Sequence, residues 1–252
     1  MVTEKLLTRM VTLIVEYDGT RYHGFQLQTQ QPTIQGEIEQ ALEKLTGERI
    51  RIVGASRTDA GVHAKGQVIG FRTKSALSTD RFVSGLNYYL PDAISIKSSY
   101  EMTNNFGIRR EAISREYRYT ILNRSTQSPL ERYQAYWVAR SLDIVAMSSA
   151  CHFLIGKHDF ASFTKKDHTG NTVRTVFKAE MRREKDFVFF DIVADSFLQQ
   201  QVRRTVGALV EVGTDRINVQ TFKDLVDSPI FGKARPTAPA HGLCLTAVNY
   251  AD

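Results

Sequence analysis

The stretch Gly54-Ala55-Ser56-Arg57-Thr58-Asp59-Ala60-Gly61-Val62-His63-Ala64 decides how the chain is read. Ile50 and Ile52 alternate with Arg51 before it, and Gln67-Val68-Ile69-Gly70-Phe71 follows, so it reads as a loop joining two strands. Asp59 then sits on a rim. Gly54 and Gly61 open backbone conformations closed to other residues, and Ala55, Ser56, Ala60 and Ala64 leave room for a bulky group to reach the carboxylate. Taken alone, the same residues also describe a turn in which Asp59 bonds its own backbone and Gly61 supplies a positive φ.

Working outward, residues 11–17 alternate as a strand that Asp18-Gly19 ends, and residues 20–31 read as loop. Pro32-Thr33 opens a helix with Ile34, Ile38, Ala41, Leu42 and Leu45 on one stripe and Gly47 at its end. Beyond the Asp59 loop, Ser78 caps a helix bearing Phe82, Val83, Leu86 and Leu90, stopped by Pro91, and a strand spans 94–100. The order then recurs. A strand at 116–122, a helix at 141–155 ending at Gly156, strands at 174–182 and 187–194, a helix capped by Ser196 and running to Val212, a short helix at 218–226 and a strand at 243–250 follow. Each half is β-α-β-β-α-β, the ferredoxin-like order of an antiparallel sheet with both helices on one face. The expected class is therefore α+β: two ferredoxin-like halves, residues 1–105 and 106–252, with antiparallel or mixed sheets side by side and an active-site cleft between them.

Composition narrows the function classes. A hydrophobic fraction of 42% and a charged fraction of 24% are ordinary for a globular protein of 252 residues. No apolar run approaches the roughly 20 residues of a membrane-spanning helix, and residues 1–10 lack the apolar centre of a secretory signal, which points to a cytoplasmic protein. Two cysteines, Cys151 and Cys244, make no disulfide framework, and both read as structural. Cys151, His152 and His158 carry none of the spacings of a metal site, so no metal is expected.

The excess of 33 Lys and Arg over 27 Asp and Glu favours a polyanionic partner. Arg109, Arg110, Arg115 and Arg118 surround Tyr117 and Tyr119, and Arg203 adjoins Arg204. Basic groups interleaved with aromatics suit RNA, which offers phosphates and stackable bases together, although a solvated charged face has the same composition. If an active site lies between the halves, Arg203 is a natural partner for Asp59, because an opposed guanidinium keeps a carboxylate ionised and aimed, although the same arginine could as easily reach another acid or solvent.

The chain closely resembles the tRNA pseudouridine-38–40 synthases, the TruA family. Glu16-Tyr17-Asp18-Gly19 with Tyr22-His23-Gly24-Phe25-Gln26 carry the resemblance, then residues 57–64 and Arg115-Glu116-Tyr117-Arg118-Tyr119. Gly156-Lys157-His158-Asp159-Phe160-Ala161-Ser162-Phe163, Val202-Arg203-Arg204-Thr205-Val206-Gly207 and His241-Gly242-Leu243-Cys244-Leu245 follow in order. The resemblance implies a catalytic Asp59 with Arg203 as its partner, Tyr117 packed on the target base, Arg57 on the RNA or orienting the loop, and Arg109 among the substrate contacts. It implies a homodimer that binds the tRNA anticodon stem-loop and uses no metal, nucleotide or organic cofactor. Three places depart from the pattern: Phe106-Gly107-Ile108-Arg109 replaces Phe-His-Ala-Arg, Phe25 replaces a tryptophan, and Gln199-Gln200-Gln201 precedes Val202.

The reaction so implied breaks the C1′–N1 bond of uridine, turns the base and joins C5 to C1′ with loss of the C5 proton. A carboxylate suits it by attacking C1′ or C6, or by taking a proton from C2′ to form a glycal. The target base must leave its stack. Two other readings compete. A silent RNA-binding protein of tandem ferredoxin-like units would carry an aromatic signature that Phe187-Val188-Phe189-Phe190 matches only loosely, and a hydrolase would want a second carboxylate or a metal.

Overall fold

The computed structural model describes residues 8–165 and 167–251, so the first seven residues of the signal-peptide reading lie outside it, as does Lys166 of the Lys165-Lys166-Asp167-His168 run. The chain divides into two compact units, one from the described parts of Met1–Ile113 and Ala247–Asp252, the other Ser114–Thr246. Strands and helices mix in both, and the protein is α+β.

In the first unit β1 (Arg9–Tyr17), β2 (Val53–Gly54), β3 (His63–Thr73) and β4 (Ile94–Met102) alternate with α1 (Ile34–Thr46) and α2 (Thr79–Tyr89). The strands lie in the order β4-β1-β3, with β2 paired to β3, all antiparallel. This is the ferredoxin-like order. Val11, Leu13, Val15 and Tyr17 are buried on one face of β1 while Met10 packs on the other with Ala55, Val68 and Ile108, so β1 needs apolar residues in both directions. Against the first face lie the buried stripe of α1 (Ile34, Ile38, Ala41, Leu42) and Phe82 and Leu86 of α2. Each fully buried large side chain contributes about 1.5–3 kcal/mol. Thr33 caps α1 by accepting from the Gly36 amide, and Gly47 ends it at φ 73°. Ser78 precedes α2 but makes no side-chain cap bond.

The strand expected at Ile50–Ile52 is absent. Those residues alternate buried and exposed, but the ladder on β3 begins only at Val53, and the preceding backbone instead meets the side chain of Glu39, whose Oε1 accepts from the Ile52 amide at 3.0 Å. The downstream strand begins early, so His63 and Ala64 belong to β3.

The second unit holds most of β5 (Ala112–Asn123), then β6 (Tyr136–Val138), α3 (Ile144–His152), β7 (Gly156–Asp159), β8 (Val173–Glu184), β9 (Phe187–Ala194), α4 (Gln201–Gly213) and α5 (Val219–Asp227), and begins β10 (Leu243–Tyr250). The order β10-β5-β9-β8 repeats that of the first unit, with β7 added beyond β8 and β6 parallel to β5. β6 and β7 are too short for periodicity to reveal. The helix expected over 141–155 is shorter. Asp143 caps it through the Ala146 amide, residues 153–155 tighten into three-residue turns, and Gly156, at φ 110°, leads into β7. α4 likewise starts later than a Ser196 cap would place it. Ser196 donates to Asp195 Oδ1, and a turn closed between Leu198 and Gln201 puts Gln200 at φ 64° just before the helix.

Candidate active site

Asp59 lies on the loop between β2 and β3 of the first unit, partly exposed, between buried Thr58 and exposed Ala60. The loop is held by its neighbours' backbone. The Thr58 carbonyl accepts from the Phe25 amide at 3.1 Å, the Asp59 carbonyl from the Val62 amide at 3.2 Å, and the Gly61 amide donates to the Tyr22 carbonyl at 3.3 Å. Gly61 has φ 77°, as its role in the turn requires. Behind the loop, Tyr17 Oη and Thr58 Oγ1 are 2.8 Å apart, and the buried Gln67 amide takes both polar groups of Ser56, donating to its carbonyl at 2.8 Å and accepting from its N–H at 3.2 Å.

Residues 19–25 form the buttress. A Cβ on Gly24, at φ +93°, would stand 2.7 Å from the Thr58 carbonyl oxygen, and one on Gly19 would stand 2.0 Å from the Val62 carbonyl oxygen. Below them His63 is buried, its Nδ1 3.1 Å from the Gly19 amide and 3.0 Å from Asp18 Oδ1. Burial pushes the Asp18 carboxyl up, but hydrogen bonds from Thr20 and the attraction of His63 outweigh it and hold the group below the usual carboxylate range.

Two expectations about this loop change. Ala55 and Ala64 are 1% exposed and fill the unit's interior, so they open no path to the carboxylate. Gly54 is needed for space: a Cβ there would fall 2.5 Å from the Phe25 ring, which covers it. Phe25 thereby shows what an aromatic does at that departure from the family pattern. At another, Ile108 packs against Met10, Ala55 and Val68, and a Cβ on Gly70 would strike it at 2.4 Å.

In the second unit, alternation along β5 divides the arginines and tyrosines between two faces. Arg115, Tyr117 and Tyr119 are buried on one. Arg115 Nη1 donates to the Asp195 carbonyl at 2.7 Å, Tyr117 meets Phe197 edge to face with centroids 5.1 Å apart, and Tyr119 Oη donates to the Pro239 carbonyl at 2.7 Å. Burial pushes the Tyr119 hydroxyl well above its ordinary value, while the nearby Arg203 pulls the other way. Arg118 lies on the opposite face in a two-pronged pair with Asp191 (2.7 and 3.1 Å), so it is spoken for. The arginine and tyrosine run is thus not one basic aromatic surface.

Arg203, half-buried on the first turn of α4, donates from Nε to the Ala238 carbonyl at 2.9 Å, and the Ala238 amide returns a bond to the Arg203 carbonyl at 3.0 Å. Gly207 brings the same segment against the helix, since a Cβ there would overlap the Pro236 oxygen at 1.7 Å. The 156–163 motif is structural: Phe160 and Phe163 are fully buried beside Phe222, and Ser162 Oγ accepts from the Ile230 amide at 3.0 Å. Arg57 and Arg109 are exposed. Sequence reasoning missed the roles of Tyr17, Gln67, Gly19 and Gly24, although the two glycines stood in a quoted motif. Among the described residues no three His, Cys, Asp or Glu side chains gather as a metal cluster, and no helix is long and apolar enough to cross a membrane.

The family model for tRNA pseudouridine synthase matches residues 13–107 and 150–251, which include the Asp59 loop and the start of α4. The chain is 44% identical over 243 residues to a tRNA pseudouridine synthase A of Acetivibrio thermocellus, covering 96% of this chain and 100% of the relative. Proteins of the same description from Clostridium kluyveri (40% identical, 95% of this chain and 99% of the relative) and Roseiflexus castenholzii (42%, 97% and 92%) match similarly. Similarity of that extent leaves no room for a different assignment: the chain belongs to the tRNA pseudouridine synthase A family, whose members isomerise uridine to pseudouridine.

Proposed function

We propose that the protein isomerises uridines 38, 39 and 40 in the anticodon stem-loop of tRNA, with Asp59 as the catalytic carboxylate. The observation that supports this most is the loop itself: a partly exposed carboxylate on backbone that is bonded to Tyr22 and Phe25 and closed by its own turn. A rigid, accessible acid is what a reaction confined to one sugar and one base requires. In this reading residues 1–105 supply Asp59 and Arg57, and residues 106–252 supply Arg109, Tyr117 and Arg203. Arg203, anchored through Nε to Ala238, is the guanidinium assigned as partner of the Asp59 carboxylate. Tyr117 packs on the displaced uracil, and Arg57 and Arg109 hold RNA around it. Asp59 attacks C1′ or C6, or removes the C2′ proton; in each route the C5 proton is lost after C5 joins C1′. The active species is a cytoplasmic homodimer.

Unmodified tRNA transcripts tritiated at uridine C5 test the position. Tritium is released to water from a transcript with uridine at 38, 39 or 40, and release stops when all three are cytidine. Release that persists from the triple-cytidine transcript contradicts the assignment.

A further inference from the structure

Beside Arg203, the arginines Arg204 at the start of α4 and Arg235 on the facing loop have no acidic hydrogen-bond partner among the described residues. Arg204 lies half-buried, with Nη1 donating to the Ala234 carbonyl at 3.2 Å and Nε to Gln200 Oε1 at 3.3 Å. Neither partner is an acid. The adjoining Arg235 is exposed, and no hydrogen bond or ion pair of its side chain occurs among the described residues. Arg204 loses basicity first to burial and then to repulsion by Arg235 and Arg203. At the same helix start Gln201, 1% exposed, keeps a side-chain N–H donor without an acceptor, while its oxygen accepts from the Leu198 amide.

Arg118 and Arg182 in the same unit are matched by the acid Asp191. Holding two guanidiniums within mutual repulsion and without a carboxylate costs stability unless an anion completes the set. Planar donor forks set side by side suit the oxygens of a phosphate better than a single carboxylate. The helix start adds a favourable field but is only auxiliary.

We propose that Arg204 and Arg235 form a phosphate subsite that grips one backbone phosphodiester of the RNA substrate beside Arg203. It rests on the tRNA reading above. Ala234, the segment residue that anchors Arg204, is itself tied to the Ser162 carbonyl at 2.9 Å, so the grip is built on a fixed loop. A held phosphate next to Arg203 limits how far the target nucleotide can slide once its base has left the stack.

The test measures the Kd of unmodified tRNA transcript against salt concentration for wild type, Arg235→Ala, Arg204→Gln, the double variant of these two and Arg204→Lys, with tritium release from wild type as the companion assay. Loss of one phosphate contact lowers the slope of log Kd against log salt by roughly 0.7–0.9. The double variant Arg204→Gln/Arg235→Ala is expected to show that drop and to bind about 3–10-fold more weakly near 0.1 M salt, with each single charge-removing variant showing part of it and Arg204→Lys keeping most of the slope. A wild-type slope in the double variant, with tritium release intact in wild type, overturns the subsite alone. Lower melting temperature of Arg204→Gln with an unchanged slope does the same, because a staple to Ala234 then accounts for the residue. Wild type that neither binds tRNA nor releases tritium overturns the tRNA reading and the subsite together.

Discussion

The contacts on Thr58, Asp59 and Gly61 run from backbone to backbone, through Phe25, Val62 and Tyr22, with the Tyr17 and Gln67 side chains behind the loop. In the Arg203 corner they run from long side chains to carbonyls, Arg203 to Ala238 and Arg204 to Ala234. The first arrangement leaves a short side chain little freedom beyond its own rotation, which suits a group that must meet one atom. The second ties each guanidinium to a loop carbonyl, which suits groups that must meet charge. Substituting a residue that braces the loop therefore acts through shape, whereas changing Asp59 or a corner guanidinium acts on the charged groups themselves.

The largest effect expected from that contrast is at Asp59 itself. Asp59→Asn keeps the volume and the clamp and removes the charge; turnover falls by about 10³-fold or more with tRNA affinity nearly unchanged. Single-turnover kinetics beside filter binding measures both, and parallel losses in rate and affinity would mean that Asp59 holds RNA instead. Next comes Arg203→Lys, which preserves charge and loses the anchored fork. We expect about 10²-fold lower kcat, and wild-type kcat would show that the anchoring to Ala238 is irrelevant to chemistry.

Gly24→Ala tests the shape side. With φ +93° and the Thr58 oxygen 2.7 Å from the new Cβ, destabilisation of about 1–3 kcal/mol is expected in urea unfolding, together with reduced turnover. Unchanged stability would show that the buttress yields freely. Asp18 gives a smaller, pH-dependent effect. Its folded carboxyl titrates below its ordinary value, so the stability it contributes is present above that ordinary value and is lost as pH falls through the lowered one. Asp18→Asn should therefore flatten the loss of stability below about pH 4, and an unaltered acid limb would remove Asp18 from that role. The smallest effect belongs to Arg118→Ala, whose half-buried ion pair on the far face of β5 is worth about 1 kcal/mol by thermal melting.

How much of this was legible in the sequence follows the same division. Strands as long as β1, β3 and β9 and the stripe of α1 stood out because each repeats its period several times. Asp59 stood out because its glycine and alanine neighbours mark a shaped loop, yet the roles given to those neighbours needed the fold: Ala55 and Ala64 alternate into the interior with the strands, and Gly54 yields to Phe25 from a segment some thirty residues earlier. The cap at Ser196 was misplaced because a Gln201 side chain closes a turn that no propensity marks. Arg118 and Arg115 are three residues apart in a basic run, and only the pleat shows that they face opposite ways. The binding of Tyr17 and Gln67 to the back of the loop joins residues that have no common pattern in sequence.

The central claim is that a backbone-clamped Asp59 is the reacting carboxylate. Release of tritium from C5-tritiated anticodon-arm transcripts tests it most directly, with wild type and Asp59→Asn compared at saturating tRNA and binding checked in parallel. The account predicts release by wild type and none above background by Asp59→Asn bound to the same tRNA. Comparable release by both would contradict it.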